Sequence, residues 1–310
     1  MRLAFMGTPA FAVPSLEALV DAGYAVVGAF TQPDRPVGRG HKLAACPVKE
    51  AALLRGVPVY QFERIRDAEG LACLRALAPD LVVTAAFGQI LSQQLLDVPR
   101  LGTVNVHASL LPAYRGPAPI NWCILNGETQ TGVTTMLTDA GVDTGDILLC
   151  RQTPIGAEET AGELSQRLSH LGAQVLLETL EGYLRGQIRP RKQDAALASR
   201  QPMLKKEMAQ IDWQMSAQAI VNRVRGFNPW PCAWTRWDGG VLKIYRARAC
   251  EGAGEPGEAI RSSAREGLVV ACGEGAVEIL EMQAPNARRM AATAYLAGKR
   301  IEPGTKFGGG

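Results

Sequence analysis

At 310 residues, 47% hydrophobic and 20% charged, the chain has room for two domains and the composition of an ordinary globular protein. No apolar run approaches the roughly 20 residues that cross a bilayer, and no signal-peptide cleavage site follows the first residues, so we expect a cytoplasmic protein without a membrane anchor. Seven widely spaced cysteines without a Cys-x-x-Cys pair and only three histidines favour free thiols and argue against a disulfide framework or a metal centre.

The small net charge of +3 is unevenly distributed along the chain. Residues 1–184 include 13 basic and 18 acidic side chains, a net −5, whereas residues 185–310 include 20 and 12, a net +8. This asymmetry suggests that the second half meets an anion larger than a small substrate. A solvated basic surface is the common alternative.

Apolar runs and helical periodicity alternate through the first third of the chain. The strand, turn, helix and strand at its start predict a doubly wound, Rossmann-like α/β domain. A bound dinucleotide is a minor possibility, because the first turn, Gly7-Thr8-Pro9, lacks the Gly-x-Gly-x-x-Gly pattern. The predicted strands are 2–7, 25–31, 57–60 and 80–86, and the predicted helices are 10–21, 47–55 and 67–77.

Residues 32–48, QPDRPVGRGHKLAACPV, interrupt this pattern. Three prolines and two glycines predict a loop without regular structure, and a loop of this length inside a domain is usually functional. Its basic residues Arg35, Arg39 and Lys42 could grip phosphates. A mobile surface connection fits the composition as well.

The segment 102–107 predicts a strand whose polar residues are out of place in a core. Alternation sends Thr103, Asn105 and His107 to one face. A buried parallel strand is normally apolar on both faces, so a carboxamide and an imidazole at its C-terminal end indicate a site. Such a pair can hold a carbonyl oxygen that becomes an oxyanion. Alone, each residue would more often be structural.

A further candidate follows in the loop after the next predicted strand. Asp143 lies between Gly141 and Gly145, and its carboxylate could orient His107. By itself an aspartate beside glycine is most often a turn residue. Its combination with Asn105 and His107 favours a catalytic site.

The remainder of the chain predicts the end of the first domain and a second one. Strands at 131–138 and 146–152 flank the Asp143 loop, and a long amphipathic helix at 158–184 closes the domain. Basic, proline-containing residues predict a linker, and short strands between glycine-rich turns predict a small C-terminal all-β, OB-like barrel. The expected divisions are domain 1–186, linker 187–206 and domain 207–310, the last with a helix at 217–225 and strands at 233–237, 241–246, 268–271 and 276–282.

Four of the five tryptophans fall between residues 213 and 237, interleaved with Arg223, Arg225 and Arg236. Aromatic side chains with arginines can stack on RNA bases. Tryptophans also fill the core of a small β domain, and we favour that role for most of them.

The motif NVHASLLP at 105–112, followed by Arg115-Gly116 and by DTGD at 143–146, resembles the folate-dependent formyltransferases. The resemblance implies that Asn105, His107 and Asp143 are a catalytic triplet and that no metal is required. It also implies a binding segment for 10-formyltetrahydrofolate, formed by Ser109, Leu110, Leu111 and Pro112. Phe87 and Ile90, after a predicted strand, could line a pterin pocket or belong to the core.

Two other stretches, PDRPVGRGHKL at 33–43 and FNPWP at 227–231, resemble methionyl-tRNA formyltransferases within that family. This implies a monomeric enzyme that formylates the α-amino group of methionyl initiator tRNA, with tRNA contacts at Arg39, Lys42 and Arg35. The alternatives are a formyltransferase for an amino-sugar nucleotide or purine precursor, and a 10-formyltetrahydrofolate hydrolase. A non-catalytic RNA-binding protein would leave the triplet unexplained.

Overall fold

The computed structural model describes the backbone of residues 1–37 and 42–308. The chain divides into two compact units, and each is made of three chain segments. Unit 1 comprises Met1–Gly116, Gln130–Pro154 and Ser165–Gln201, and unit 2 comprises Pro117–Thr129, Ile155–Leu164 and Pro202–Gly310.

Unit 1 is built on a seven-stranded sheet with the order β5-β2-β1-β6-β7-β8-β9. The first five strands of this order run parallel, and β8 and β9 are antiparallel to their neighbours. Short apolar runs such as LAFM and LVV form the central strands because both faces are covered. The strands are β1 Arg2–Gly7, β2 Ala25–Thr31, β5 Val59–Gln61, β6 Leu81–Ala85, β7 Thr103–His107, β8 Gln130–Leu137 and β9 Ile147–Pro154.

Helices alternate with the parallel strands of unit 1, which confirms the predicted Rossmann-like α/β class. Pro14 and Pro47 stand in the first turns of two of them, where a missing N–H costs nothing. Part of the core is a cluster that includes Met6, Phe30 and Leu74. The helices are α1 Val13–Asp21, after a short 3-10 turn, α2 Pro47–Leu54, α3 Ala68–Leu77, α4 Gln93–Leu96 and α6 Ala161–Leu184, whose first residues, up to Leu164, belong to unit 2.

The prediction that residues 32–48 lack regular structure is wrong. β3 Arg35–Val37 and β4 Lys42–Ala44 pair antiparallel, and α2 begins at Pro47. Backbone pairing across the segment overrides the local preference of its prolines and glycines for loops, and such pairing is not visible in single-residue propensities. Arg39 and the side chain of Lys42 lie outside the described residues.

Unit 2 is an all-β unit with added helices, as predicted. Its antiparallel strands follow the order β10-β11-β14-β13-β12, and β15 pairs with β14. Helix α7 Ala217–Gly226 buries Ile220 and Val224 in the same core as Leu242 and Val277. The strands are β10 Ala233–Trp237, β11 Gly240–Cys250, β12 Ala259–Ser263, β13 Gly267–Ala271, β14 Ala276–Gln283 and β15 Met290–Ala291, and the last helix is α8 Ala292–Leu296.

Helix α5 Pro119–Leu125 belongs to unit 2 although it lies between two strands of unit 1 in sequence. Asn121 Nδ2 donates to the Gly226 carbonyl at 2.7 Å, at the end of α7. A Cβ atom at Gly226 would lie 2.8 Å from Leu125 Cδ2, so glycine lets the two helices approach.

Residues 188–201, within the predicted linker, pack against unit 1 and form backbone hydrogen bonds with it. Arg191 and Ile147 exchange hydrogen bonds of 2.8 and 2.9 Å. Further along, Arg115 donates its N–H to Ser199 O at 2.8 Å. Among the helices that the structure describes, none is long and apolar enough to cross a membrane.

Candidate active site

Asn105 lies on β7 between β6 and β8, with Thr84 and Met136 opposite it in register. Thr84 Oγ1 donates to Asn105 Oδ1 at 2.8 Å. This hydrogen bond turns the amide oxygen toward Thr84 and leaves the donor, Nδ2, for a ligand. Within the described part of the chain, Nδ2 makes no hydrogen bond.

His107 ends the same strand and is 7% exposed. Its Nε2 lies 3.0 Å from the Tyr114 carbonyl oxygen. A carbonyl oxygen can only accept, so this contact requires the hydrogen on Nε2. The other ring nitrogen, Nδ1, faces Asp143 Oδ1 at 3.7 Å, so Nδ1 is the atom that can exchange a proton with the site.

Asp143 is held in a conformation that few residues adopt. Its φ is 53°, in the left-handed region, and its Oδ2 accepts from the Gly116 N–H at 2.8 Å. A Cβ at Gly145 would meet Leu137 O at 1.7 Å, and one at Gly141 would meet Thr144 Oγ1 at 1.9 Å. At Gly145 the clash is with backbone, so glycine is needed there for the tight loop that brings the carboxylate to His107; at Gly141 the Thr144 side chain would have to move.

The predicted folate-binding segment forms the loop directly after β7. Ser109 is buried and donates to Ala113 O at 2.7 Å, while Leu111 packs against Met136 and Ile147. Thr134 Oγ1 on β8 donates to Ser109 O at 2.7 Å. The side chains of Ser109 and Leu111 thus hold the loop in shape. Leu110 and Pro112 are only partly buried and remain available for contacts with a ligand.

A cleft of about 170 Å³ lies beside the Asp143 loop. Its walls come from that loop, from the loop after β7 and from the segment 188–201. The lining residues are Arg115, Val142, Thr144, Ala198, Ser199 and Arg200. The segment predicted as a linker therefore forms part of the surroundings of the candidate site.

Sequence reasoning missed Thr84 and Gln193. Thr84 is the polar residue of the apolar strand β6, LVVTA, and that break in an otherwise apolar run was the available signal. Gln193 donates to the carbonyls of Asp143 and Gly145 at 2.9 and 2.7 Å. No local pattern marks Gln193, because its partners are far away in sequence.

The residues predicted to line a pterin pocket or to contact tRNA lie in different surroundings. Phe87 is 5% exposed and belongs to the core of unit 1, whereas Ile90 is 67% exposed. Arg35 pairs with Glu63 at 2.8 Å on an exposed surface, where such a pair contributes little stability and leaves the guanidinium available.

Two arginines near the tryptophans have structural roles in unit 2. Arg225 is 8% exposed, donates to Gly156 O and Asn222 Oδ1 at 2.9 and 2.8 Å, and has its pKa lowered by burial. Arg223 donates to Met208 O and lies over the Phe227 ring. Trp213 is buried and donates to Thr235 Oγ1 at 3.0 Å, as expected for a core residue.

Comparison with known proteins identifies the class. Residues 1–180 match the family model described as formyl transferase, and residues 203–300 match the formyl transferase C-terminal domain. The chain belongs to the formyl transferase family and is a formyl-transferring enzyme.

Relatives that match over nearly their full length carry a more specific name than the family models. The methionyl-tRNA formyltransferase of Citrifermentans bemidjiense is 52% identical over 99% of this chain and 96% of its own. That of Geobacter sulfurreducens is 51% identical over 99% and 97%. The sequence-based resemblance to this branch of the family is confirmed.

Solved structures share the fold at lower identity. The sugar 3N-formyl transferase WlaRD has a TM-score of 0.65 at 18% identity, covering 94% of this chain and 98% of its own. HypX from Aquifex aeolicus, solved with tetrahydrofolic acid, has a TM-score of 0.64 at 20% identity, covering 96% and 47%.

Proposed function

We propose that this protein transfers the formyl group of 10-formyltetrahydrofolate to the α-amino group of methionine on initiator tRNA. The observation that carries the proposal is the approach of Asp143 to His107 at the end of β7, the strand that also carries Asn105 two residues earlier. It occurs in a chain about half identical, over nearly its full length, to methionyl-tRNA formyltransferases.

In the proposed mechanism each member of the triplet acts on a different atom. The amine attacks the formyl carbon, and Asn105 Nδ2 donates to the oxygen as it gains negative charge. His107 Nδ1 holds the proton that the amine loses and passes it to the departing folate nitrogen. Asp143 stabilises the imidazolium formed in between, since its carboxylate faces Nδ1.

The binding of both substrates follows from the same proposal. The loop at Ser109, Leu110, Leu111 and Pro112 borders the folate donor, and the tetrahydrofolate in the HypX structure is consistent with a folate site in this fold. Arg35, Arg39 and Lys42, with the basic second half, contact tRNA phosphates. We further propose a monomer without a metal in the cytoplasm, where the seven free cysteines stay reduced.

The direct test supplies labelled 10-formyltetrahydrofolate with charged initiator tRNA, free methionine, an amino-sugar nucleotide and a purine precursor in parallel. We expect label on the charged tRNA alone. Formate released without RNA would indicate a hydrolase, and label on the sugar or purine would indicate one of the other transferases. Each of these results would contradict the proposal.

Variants of the triplet test the assignment of roles. We expect Asn105→Ala, His107→Ala and Asp143→Asn each to lower kcat by roughly 10²- to 10⁴-fold with much smaller changes in KM, because the interactions form mainly in the transition state. Asn suits the left-handed conformation at 143, so the last variant changes charge rather than backbone. Normal turnover by the His107 variant would refute the mechanism.

A second prediction concerns RNA binding. We expect Arg39→Ala to weaken binding and formylation of tRNA while folate affinity stays unchanged, and tRNA binding to fall steeply as salt rises. Arg185→Ala is a matched control, because Arg185 is an exposed arginine just after α6 and pairs with Glu181 at 3.0 Å. A loss confined to folate affinity, or an equal loss in the control, would count against a tRNA contact at Arg39.

A further inference from the structure

Gln193 links the two loops that carry the candidate site. Its Nε2 donates to Asp143 O at 2.9 Å and to Gly145 O at 2.7 Å. Its Oε1 accepts from Arg115 Nε at 3.0 Å and from Arg115 Nη2 at 2.7 Å. Both hydrogens and both lone pairs of the carboxamide are therefore used, and they fasten one loop to the other.

These contacts hold the two loops that determine where the Asp143 carboxylate lies. The Nε2 contacts hold the backbone of the strained residue itself and that of Gly145, two positions on. The Oε1 contacts hold Arg115, whose neighbour Gly116 donates its N–H to Asp143 Oδ2 at 2.8 Å. Loss of the Gln193 amide would release both the loop of the carboxylate and its hydrogen-bond donor.

The segment that carries Gln193 is itself fixed on both sides. Before it, Arg191 forms two backbone hydrogen bonds with Ile147 on β9. After it, Ser199 Oγ accepts from the Tyr114 N–H at 2.8 Å, and Tyr114 also supplies the carbonyl that holds His107. The half-buried Gln193 side chain thus extends from a backbone segment that is hydrogen-bonded on both sides, as a positioning group requires.

From this geometry we infer that Gln193 is a positioning residue that holds Asp143 beside His107. The inference rests on the proposed function, because the position of Asp143 affects turnover only if the triplet performs the transfer. It assigns a role in the reaction to a segment whose sequence is typical of a linker.

The test compares two substitutions at Gln193. Gln193→Met keeps the shape and removes the hydrogen bonds to Arg115, Asp143 and Gly145, as well as the longer contact of 3.9 Å from Nε2 to Met136 Sδ. Gln193→Glu keeps acceptors toward Arg115 but removes both donors and sets a carboxylate against two carbonyl oxygens. We expect both to lower kcat per folded molecule by roughly 10- to 100-fold, with KM for donor and acceptor changed by less than about 3-fold, because the carboxylate is misplaced rather than lost. Gln187→Ala, at an exposed glutamine just before the segment, should leave kcat and KM unchanged.

A double-mutant cycle separates positioning from a general effect on folding. In an Asp143→Asn background, Gln193→Met should lower kcat by less than about 2-fold, because the group it positions has already lost its function. Equal losses in both backgrounds would overturn the inference. A wild-type kcat in Gln193→Glu would also overturn it, as would a lower melting temperature with normal kcat in Gln193→Met. Absence of transfer by the wild-type protein would instead show the failure of the proposed function.

Discussion

Thr84 shows how one hydroxyl group can set the direction of an amide that we propose acts in catalysis. It lies opposite Asn105 in the register of β6 and β7 and donates to Oδ1 at 2.8 Å. Without that donor, the carboxamide is free to rotate and present oxygen instead of N–H to the substrate. The orientation of the amide therefore depends on a neighbouring strand.

We predict that Thr84→Val lowers kcat by about 5-fold, the equivalent of one hydrogen bond of about 1 kcal/mol, with little change in KM. Valine has nearly the same shape, so the β6 packing is retained. Steady-state kinetics of this variant and of Thr84→Ser, which keeps the hydroxyl, would check the prediction. Full activity of the valine variant would show that the amide needs no orienting partner.

At the scale of elements, the start of α6 is stabilised by a reciprocal cap. Thr160 N–H donates to Glu163 Oε2 at 2.9 Å, and the Glu163 N–H donates to Thr160 Oγ1 at 3.3 Å. Glu163 also pairs with Arg246 of β11 at 2.6 Å, within unit 2. The backbone hydrogen bond from Thr160 is the main cause that lowers the pKa of Glu163, followed by the side-chain bonds from Thr160 and Arg246.

A carboxylate with a lowered folded-state pKa stabilises the fold above its unfolded pKa, near 4.5, and loses that contribution as pH falls through the folded value. We therefore predict that Glu163→Gln costs about 0.5–1 kcal/mol of unfolding free energy at pH 7, and progressively less below pH 4.5. Urea unfolding at pH 7 and pH 4 measures this difference. A constant cost across that range would show that the charge of Glu163 contributes nothing.

Elements also show where local patterns are informative. Strands 25–31 and 233–237 were predicted at the ends that the structure gives, because an apolar or alternating run bounded by turn residues has few other ways to fold. Helix α5 was missed because it is short and packs on α7, about a hundred residues further on. Strand β12 was missed although its partner β13 follows directly after a short turn. The division into domain 1–186, linker 187–206 and domain 207–310 stays a prediction. The two compact units of the structure are interleaved in sequence.

On the scale of the whole molecule, unit 2 depends on residues from the first half of the chain. Phe227 is 1% exposed and forms a cluster with Leu204 and Ala209, against which Trp122 and Leu125 of α5 pack. Removal of α5 exposes this cluster and leaves the Gly226 carbonyl without the donor from Asn121. The compact unit therefore comprises more than the last hundred or so residues of the chain.

We predict that a fragment of residues 202–310 unfolds at a clearly lower temperature than the intact chain or lacks a cooperative transition, because it exposes several large apolar side chains at a cost of about 1.5–3 kcal/mol each. Calorimetry and near-UV circular dichroism would check this. The same fragment fused through a flexible linker to residues 117–129 should recover part of the stability. Equal melting of the fragment and the intact chain would contradict the dependence on α5.

By itself, the sequence determined the α/β class, the all-β second part and the candidate residues Asn105, His107 and Asp143, because strand periodicity and a compact motif are local properties. Only the tertiary structure decided that the carboxylate lies 3.7 Å from the imidazole, which ring nitrogen faces it, and that Thr84 and Gln193 orient the groups around it. It also placed α5 in unit 2 and paired β3 with β4. The physical reason is that these contacts join residues far apart in the chain, and their free energy comes from packing and hydrogen bonds that no local window of sequence contains.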